Sequence, residues 1–86
     1  MRADLGTLTE LVETTAKNSP VARKVRSVEL EPASDRDGDA YLRVIIRMDR
    51  NDETDYPALA RLVEAIEDVI GREDDRYPSV RFLDAA

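Results

Sequence analysis

The sequence predicts an α+β domain. It has two layers in the order α-β-β-α-β, with a three-stranded sheet carrying both helices on one face. Three observations predict it. Residues 55–71, DYPALARLVEAIEDVIG, hold Leu59, Leu62, Val63, Ile66, Val69 and Ile70 at helical spacing, a single apolar stripe. Residues 40–48, AYLRVIIRM, alternate with period two, which marks a strand with one face buried. Asp37-Gly38 is a turn signal joining that strand to an earlier strand-like run. With 86 residues, the chain is expected to form one domain over residues 1–86.

Residues 4–17 read as the first helix. Leu5, Leu8, Leu11, Val12 and Thr15 recur at three and four. Thr7 and Glu10 fit a capping box, with Asp4 as a competing start. Asn18-Ser19-Pro20 stops the helix. Residues 25–31, VRSVELE, read as a strand with Val28 and Leu30 on one face and Ser27, Glu29 and Glu31 on the other, and Pro32 is expected to end it.

The stretch PASDRDGD at 32–39 is a loop. The next strand sets Ala40, Leu42, Val44, Ile46 and Met48 against Tyr41, Arg43, Ile45 and Arg47. DRNDE at 49–53 leads into the central helix. Asp55 is expected to cap it, Pro57 to sit in its first turn and Gly71 to end it in a left-handed conformation. Tyr77–Asp84, YPSVRFLD, reads as a last strand with Val80 and Phe82 inward and Pro78 marking a sheet edge. The crossover through the central helix is expected to be right-handed.

Composition bounds function. The chain has no Cys and no His, so thiolate chemistry, Cys-based zinc sites and a histidine base or ligand are excluded. Ser19, Ser27, Ser34 and Ser79 have turn or strand explanations, and no nucleophile–base pair is visible. The expectation is a non-enzyme with no cofactor and no resident metal. No apolar run approaches the ~18 residues of a membrane span, and the N-terminus has no apolar signal core. A soluble, cytoplasmic protein is expected.

The net charge of −6 is carried by residues 51–76, where nine acids meet three bases; the remaining ten acids and ten bases cancel. That segment should repel phosphate backbones. It reads as a solvated helix face, or as an acidic docking surface for a basic partner.

Two acidic clusters invite a metal reading. Counting a calcium loop from Asp35, its sixth position is Ala40 and its twelfth Ile46, where Gly and Glu are needed. Asp49, Asp52, Glu53 and Asp55 crowd the start of the central helix, where carboxylates also gain from the helix dipole.

The sheet face away from the helices is the candidate interaction surface: Val25, Glu29 and Glu31 from the first strand, Tyr41, Arg43, Ile45 and Arg47 from the second, Arg81 and Leu83 from the third. An aromatic among arginines is how RNA-binding sheets stack bases. Only Tyr41 is expected there, however, and Glu29 and Glu31 are placed to pair with the arginines across strands. Nucleic acid is therefore an unlikely partner, and protein, a second copy above all, the expected one.

Two families resemble parts of the chain. Asp37-Gly38-Asp39-Ala40-Tyr41-Leu42 resembles the carboxylate strand of the minimal nucleotidyltransferases, across about half of the chain. In that family two acids one residue apart hold Mg²⁺ after a Gly-Ser signature. Here the second acid falls on Tyr41, no Gly-Ser pair lies upstream, and Asp37 and Asp39 stand before the strand. The resemblance implies a catalytically degenerate relative or a nucleic-acid-binding domain. The element order across residues 21–84 is similar to the cytoplasmic domain of cation-diffusion transporters. That resemblance implies a domain that dimerises. The family's histidine ligands have no counterpart here, so its metal function is not implied.

The reading is a small acidic interaction module. It is expected to self-associate, as a homodimer, or to bind a partner protein through its open sheet face or a strand edge.

Overall fold

Helix α1 (Leu5–Lys17), a 3₁₀ turn (Ala22–Lys24), strands β1 (Val25–Ser34) and β2 (Ala40–Met48), helix α2 (Tyr56–Glu73) and strand β3 (Tyr77–Asp84) follow one another in the computed structural model. It describes residues 2–49 and 54–85. The fold is α+β in the order α-β-β-α-β. The sheet order is β1-β2-β3, with β2 antiparallel to β1 and parallel to β3.

The central position of β2 explains its pattern. Leu42, Val44 and Ile46 are fully buried, since a middle strand has neighbours on both sides and helices above. Leu8, Val12 and Ala16 of α1, and Ala58, Leu62, Ile66 and Ile70 of α2, close the same core. Both helices therefore lie on one face of the sheet and form the second layer.

Of the two candidate caps, Asp4 and not Thr7 opens helix α1. The Asp4 carboxylate accepts from the Thr7 amide at 3.2 Å. With the helix opening there, Leu5 joins the stripe that packs on the core, as expected. Thr9 and Thr15 donate their hydroxyls to the carbonyls of Leu5 and Leu11, at 2.7 and 2.8 Å, which satisfies threonine inside a helix.

Strand β1 runs through Pro32 to Ser34 instead of ending at the proline. An edge strand tolerates a missing donor, and β1 is an edge. The pairing register shifts at its start: Val25 faces Met48 while Ser27 faces Arg47, so Arg26 is an extra residue. This overturns the placement of Val25 on the open face. One inserted residue exchanges the faces, and Val25 packs on the core beside Val28 and Leu30. Arg26 is left to pair with Asp49, and its guanidinium holds that carboxyl below the usual range.

The β1–β2 loop accounts for the alternating acids. The Asp35 carboxylate accepts from the amides of Asp37 and Asp39, each at 2.9 Å, and Gly38 takes φ +86°. Asp35 thus closes the turn.

In α2 the Asp55 carboxylate accepts from the Ala58 amide at 3.0 Å, with Pro57 in the first turn, as expected. The buried line is Ala58, Leu62, Ile66 and Ile70; Leu59 and Val69 pack beside it, and Val63 is half-buried. Gly71 does not end the helix. Its φ is not positive, and the helix continues to Glu73, with Asp74 as the C-cap. The two added residues carry Asp74 to a site where it is buried and fully bonded. Its carboxylate accepts from the Ala3 amide and the Arg76 amide, each at 2.9 Å, and from the Arg76 guanidinium at 2.8 Å.

No helix among the described residues is long and apolar enough to cross a membrane.

Candidate interaction surface

The open face is built from four rows across the sheet. Register places Ala33, Tyr41 and Tyr77 in one row, and Glu31, Arg43 and Ser79 in the next. Glu29, Ile45 and Arg81 form the third, and Ser27, Arg47 and Leu83 the fourth. Eight of the nine expected residues lie here: Glu29, Glu31, Tyr41, Arg43, Ile45, Arg47, Arg81 and Leu83. Val25 does not.

The charges are arranged as neutralising pairs. Arg43 donates to Glu31 at 3.2 Å and to the Tyr41 hydroxyl at 3.1 Å. The tyrosine hydroxyl first, then Glu31, holds the Arg43 guanidinium above its ordinary pKa. Arg47 sits 3.7 Å from Glu29. Arg81 makes no ion pair among the described residues. Three arginines against two glutamates leave this face slightly positive on a chain of net charge −6.

Ile45 sits at the centre of the face and is nonetheless only 8% exposed. Arg43 and Arg47 flank it along β2, and Glu29 and Arg81 flank it across the sheet. The aliphatic stems of such side chains cover apolar surface while their heads stay wet. The exposed apolar area lies instead on β3, where Leu83 is 43% and Tyr77 50% exposed.

Tyr77 is a member of the surface that sequence reasoning missed. Its ring stacks on Tyr41 with centroids 5.2 Å apart and planes 13° from parallel, so the face carries two aromatics rather than one. The Tyr77 hydroxyl donates to Asp35 at 3.3 Å. Partial burial first, and then the Asp35 carboxylate, raise its pKa. The signal was available: counting back by two from Leu83 and Arg81 reaches Ser79 and Tyr77.

A cavity of about 120 Å³ lies at the other end of the molecule, between the ends of β2 and β3 and the start of α2. Met48, Leu59 and Phe82 line it, together with Asp49, Asp55 and Asp84. It is well below the ~300 Å³ of an ordinary ligand site. Among the described residues no group of three or more carboxylates is placed to hold a metal ion. Of the expected acidic crowd, Asp52 and Glu53 lie outside the described residues.

No protein-family model and no curated protein matches the chain. Two solved structures resemble it. The copper form of MamM CTD superposes with a TM-score of 0.50 at 17% identity, covering 95% of this chain and 97% of that one. A variant form of MamM CTD gives 0.48 at 19% identity, covering 98% and 94%. At such identity the likeness to the copper form speaks for the fold alone, and the weaker superposition carries no argument.

Proposed function

We propose that this chain is a non-enzymatic interaction module, and that its binding surface is the open face of the sheet. The observation that carries this reading is the pairing of exposed apolar side chains, Leu83 and Tyr77, with arginines of which two, Arg43 and Arg47, are already paired with Glu31 and Glu29. Such a face tolerates being covered, because its charges need little further compensation. A sheet with helices on one side also leaves that face without cover. The first occupant is a second copy of the chain, as in the cytoplasmic domains of cation-diffusion transporters, whose element order it shares. Copper, present in the structure of similar fold, is not carried over, since this chain has neither His nor Cys.

Sedimentation equilibrium from about 5 to about 500 μM tests the reading. The average mass should rise from 9.7 kDa toward twice that value. Leu83→Asp should move the midpoint to at least roughly tenfold higher concentration. A variant that associates as the parent does would take the open face out of the interface.

One observation favours a second reading. The Tyr41–Tyr77 stack, on the same face as Arg81 and two rows from it, offers a platform for a base, as in single-strand binders. Two of the three arginines are paired, however, which weakens the attraction to phosphate. A fluorescent oligonucleotide should show no saturable binding at roughly physiological salt; micromolar binding lost on Arg81→Ala would favour this reading instead.

A further inference from the structure

Granting the open face as the interaction surface, its four rows also specify how a second copy sits on it. Along β1 the face presents Ala33, Glu31, Glu29 and Ser27; along β3, in the same rows, Tyr77, Ser79, Arg81 and Leu83. The first edge is small and acidic. The second is large, apolar and basic. The two edges are complements of each other, row by row.

We propose that two copies pack open face to open face about a two-fold axis running along β2, with Glu29 of each copy against Arg81 of the other. An axis in that direction lays β1 of one copy over β3 of the other while keeping the rows together. Leu83 then meets Ser27, and Tyr77 meets Ala33, each a large side chain over a small one. Ser79 meets Glu31, a hydroxyl against a carboxylate. Arg81 gains the carboxylate it lacks within its own chain among the described residues. Tyr41 and Ile45 lie on the axis and meet their own counterparts. Arg43 and Arg47 do too, and the glutamates already bonded to them offset that like-charge contact.

The other in-plane two-fold, across the strands, sets β1 over β1. Centred on the face, it reverses the rows and sets Glu29 over Glu31 and Arg81 over Ser79, so acid meets acid and Arg81 gains no carboxylate, and charge disfavours it. Face-to-face sheets sit about 10 Å apart with strands about 30° from aligned, a gap that an arginine and a glutamate span together. The face measures about 14 by 23 Å, from three strands about 4.8 Å apart and seven residues at about 3.3 Å. That is about 320 Å² on each copy, well below the ~800 Å² of a standard specific interface, so the dimer should be weak and should dissociate on the order of tens to hundreds of micromolar.

The test uses Arg81→Glu, Glu29→Arg and their equimolar mixture, with circular dichroism confirming that each variant is folded. Arg81→Glu alone sets two pairs of glutamates together, and Glu29→Arg alone two pairs of arginines. Each should weaken self-association at least roughly tenfold. Mixed, the two variants restore both opposite-charge contacts in a heterodimer, and the dissociation constant should return to within about threefold of the parent. Recovery on mixing supports the proposed arrangement. A parent that stays at 9.7 kDa throughout overturns it, as does an Arg81→Glu chain that dimerises like the parent. In that last case Leu83→Asp separates the two failures. If it dissociates the dimer, the face is right and the axis wrong. If it does not, the open-face reading falls as well.

Discussion

Asp74 and Arg76 form a buried ion pair where α2 ends, with side chains 0% and 9% exposed. The same carboxylate accepts the Ala3 amide, so one side chain ties the segment before α1 to the turn between α2 and β3. Removing it leaves a guanidinium and two backbone donors without their acceptor. Asp74→Ala should therefore cost about 2–4 kcal/mol, measured by urea unfolding. A loss under about 0.5 kcal/mol would mean that water replaces the carboxylate without penalty.

The pair also sets an acid limit. The Arg76 guanidinium, outweighing the opposing effect of burial, holds the Asp74 carboxyl well below the usual range. A folded pKa below the unfolded value of about 3.9 stabilises the fold above that value, and the contribution is lost as pH falls further. Stability should be insensitive to this group between about pH 5 and 8 and should drop below about pH 4. Asp74→Asn should flatten that acid limb. An unchanged slope would assign acid sensitivity to other carboxylates.

Ile66 is fully buried in the middle of the α2 stripe. Ile66→Ala should cost about 2–5 kcal/mol, much of a small domain's stability. Thermal or urea unfolding within ~1 kcal/mol of the parent would contradict the packing described.

Gly71 lies inside α2, and a Cβ there would meet nothing within 4 Å. Gly71→Ala should stabilise the chain by about 0.5–1 kcal/mol, because glycine's backbone freedom serves no turn here. A lower melting temperature would show that the helix end needs that freedom.

Much of this fold was legible because the signals were periodic. The alternation of 40–48 placed β2 to the residue, and Asp55 marked the start of α2. What failed was punctuation. Gly71 and Pro32 are local stop signals, and tertiary context overrode both: Asp74 found partners one turn beyond Gly71, and β1 is an edge that tolerates Pro32. The bulge at Arg26 left no mark in the pattern, so Val25 was assigned to the wrong face. Among the surface residues, Tyr77 was reachable by counting in twos. The burial of Ile45 was not, because it depends on how the flanking arginines lie. The bonding of Asp74 to Ala3 spans 71 positions, and local reading has no access to it.

The proposed binding surface is the open sheet face, with a second copy of the chain as its first occupant. Amide chemical shifts of the ¹⁵N-labelled protein, followed on dilution from about 500 to about 5 μM, test it most directly. Concentration-dependent shifts are expected at Glu29, Arg43, Ile45, Arg81 and Leu83, with Glu64 and Glu67 on the exposed side of α2 unmoved. Shifts confined to the helices, or none over the whole range, would contradict it.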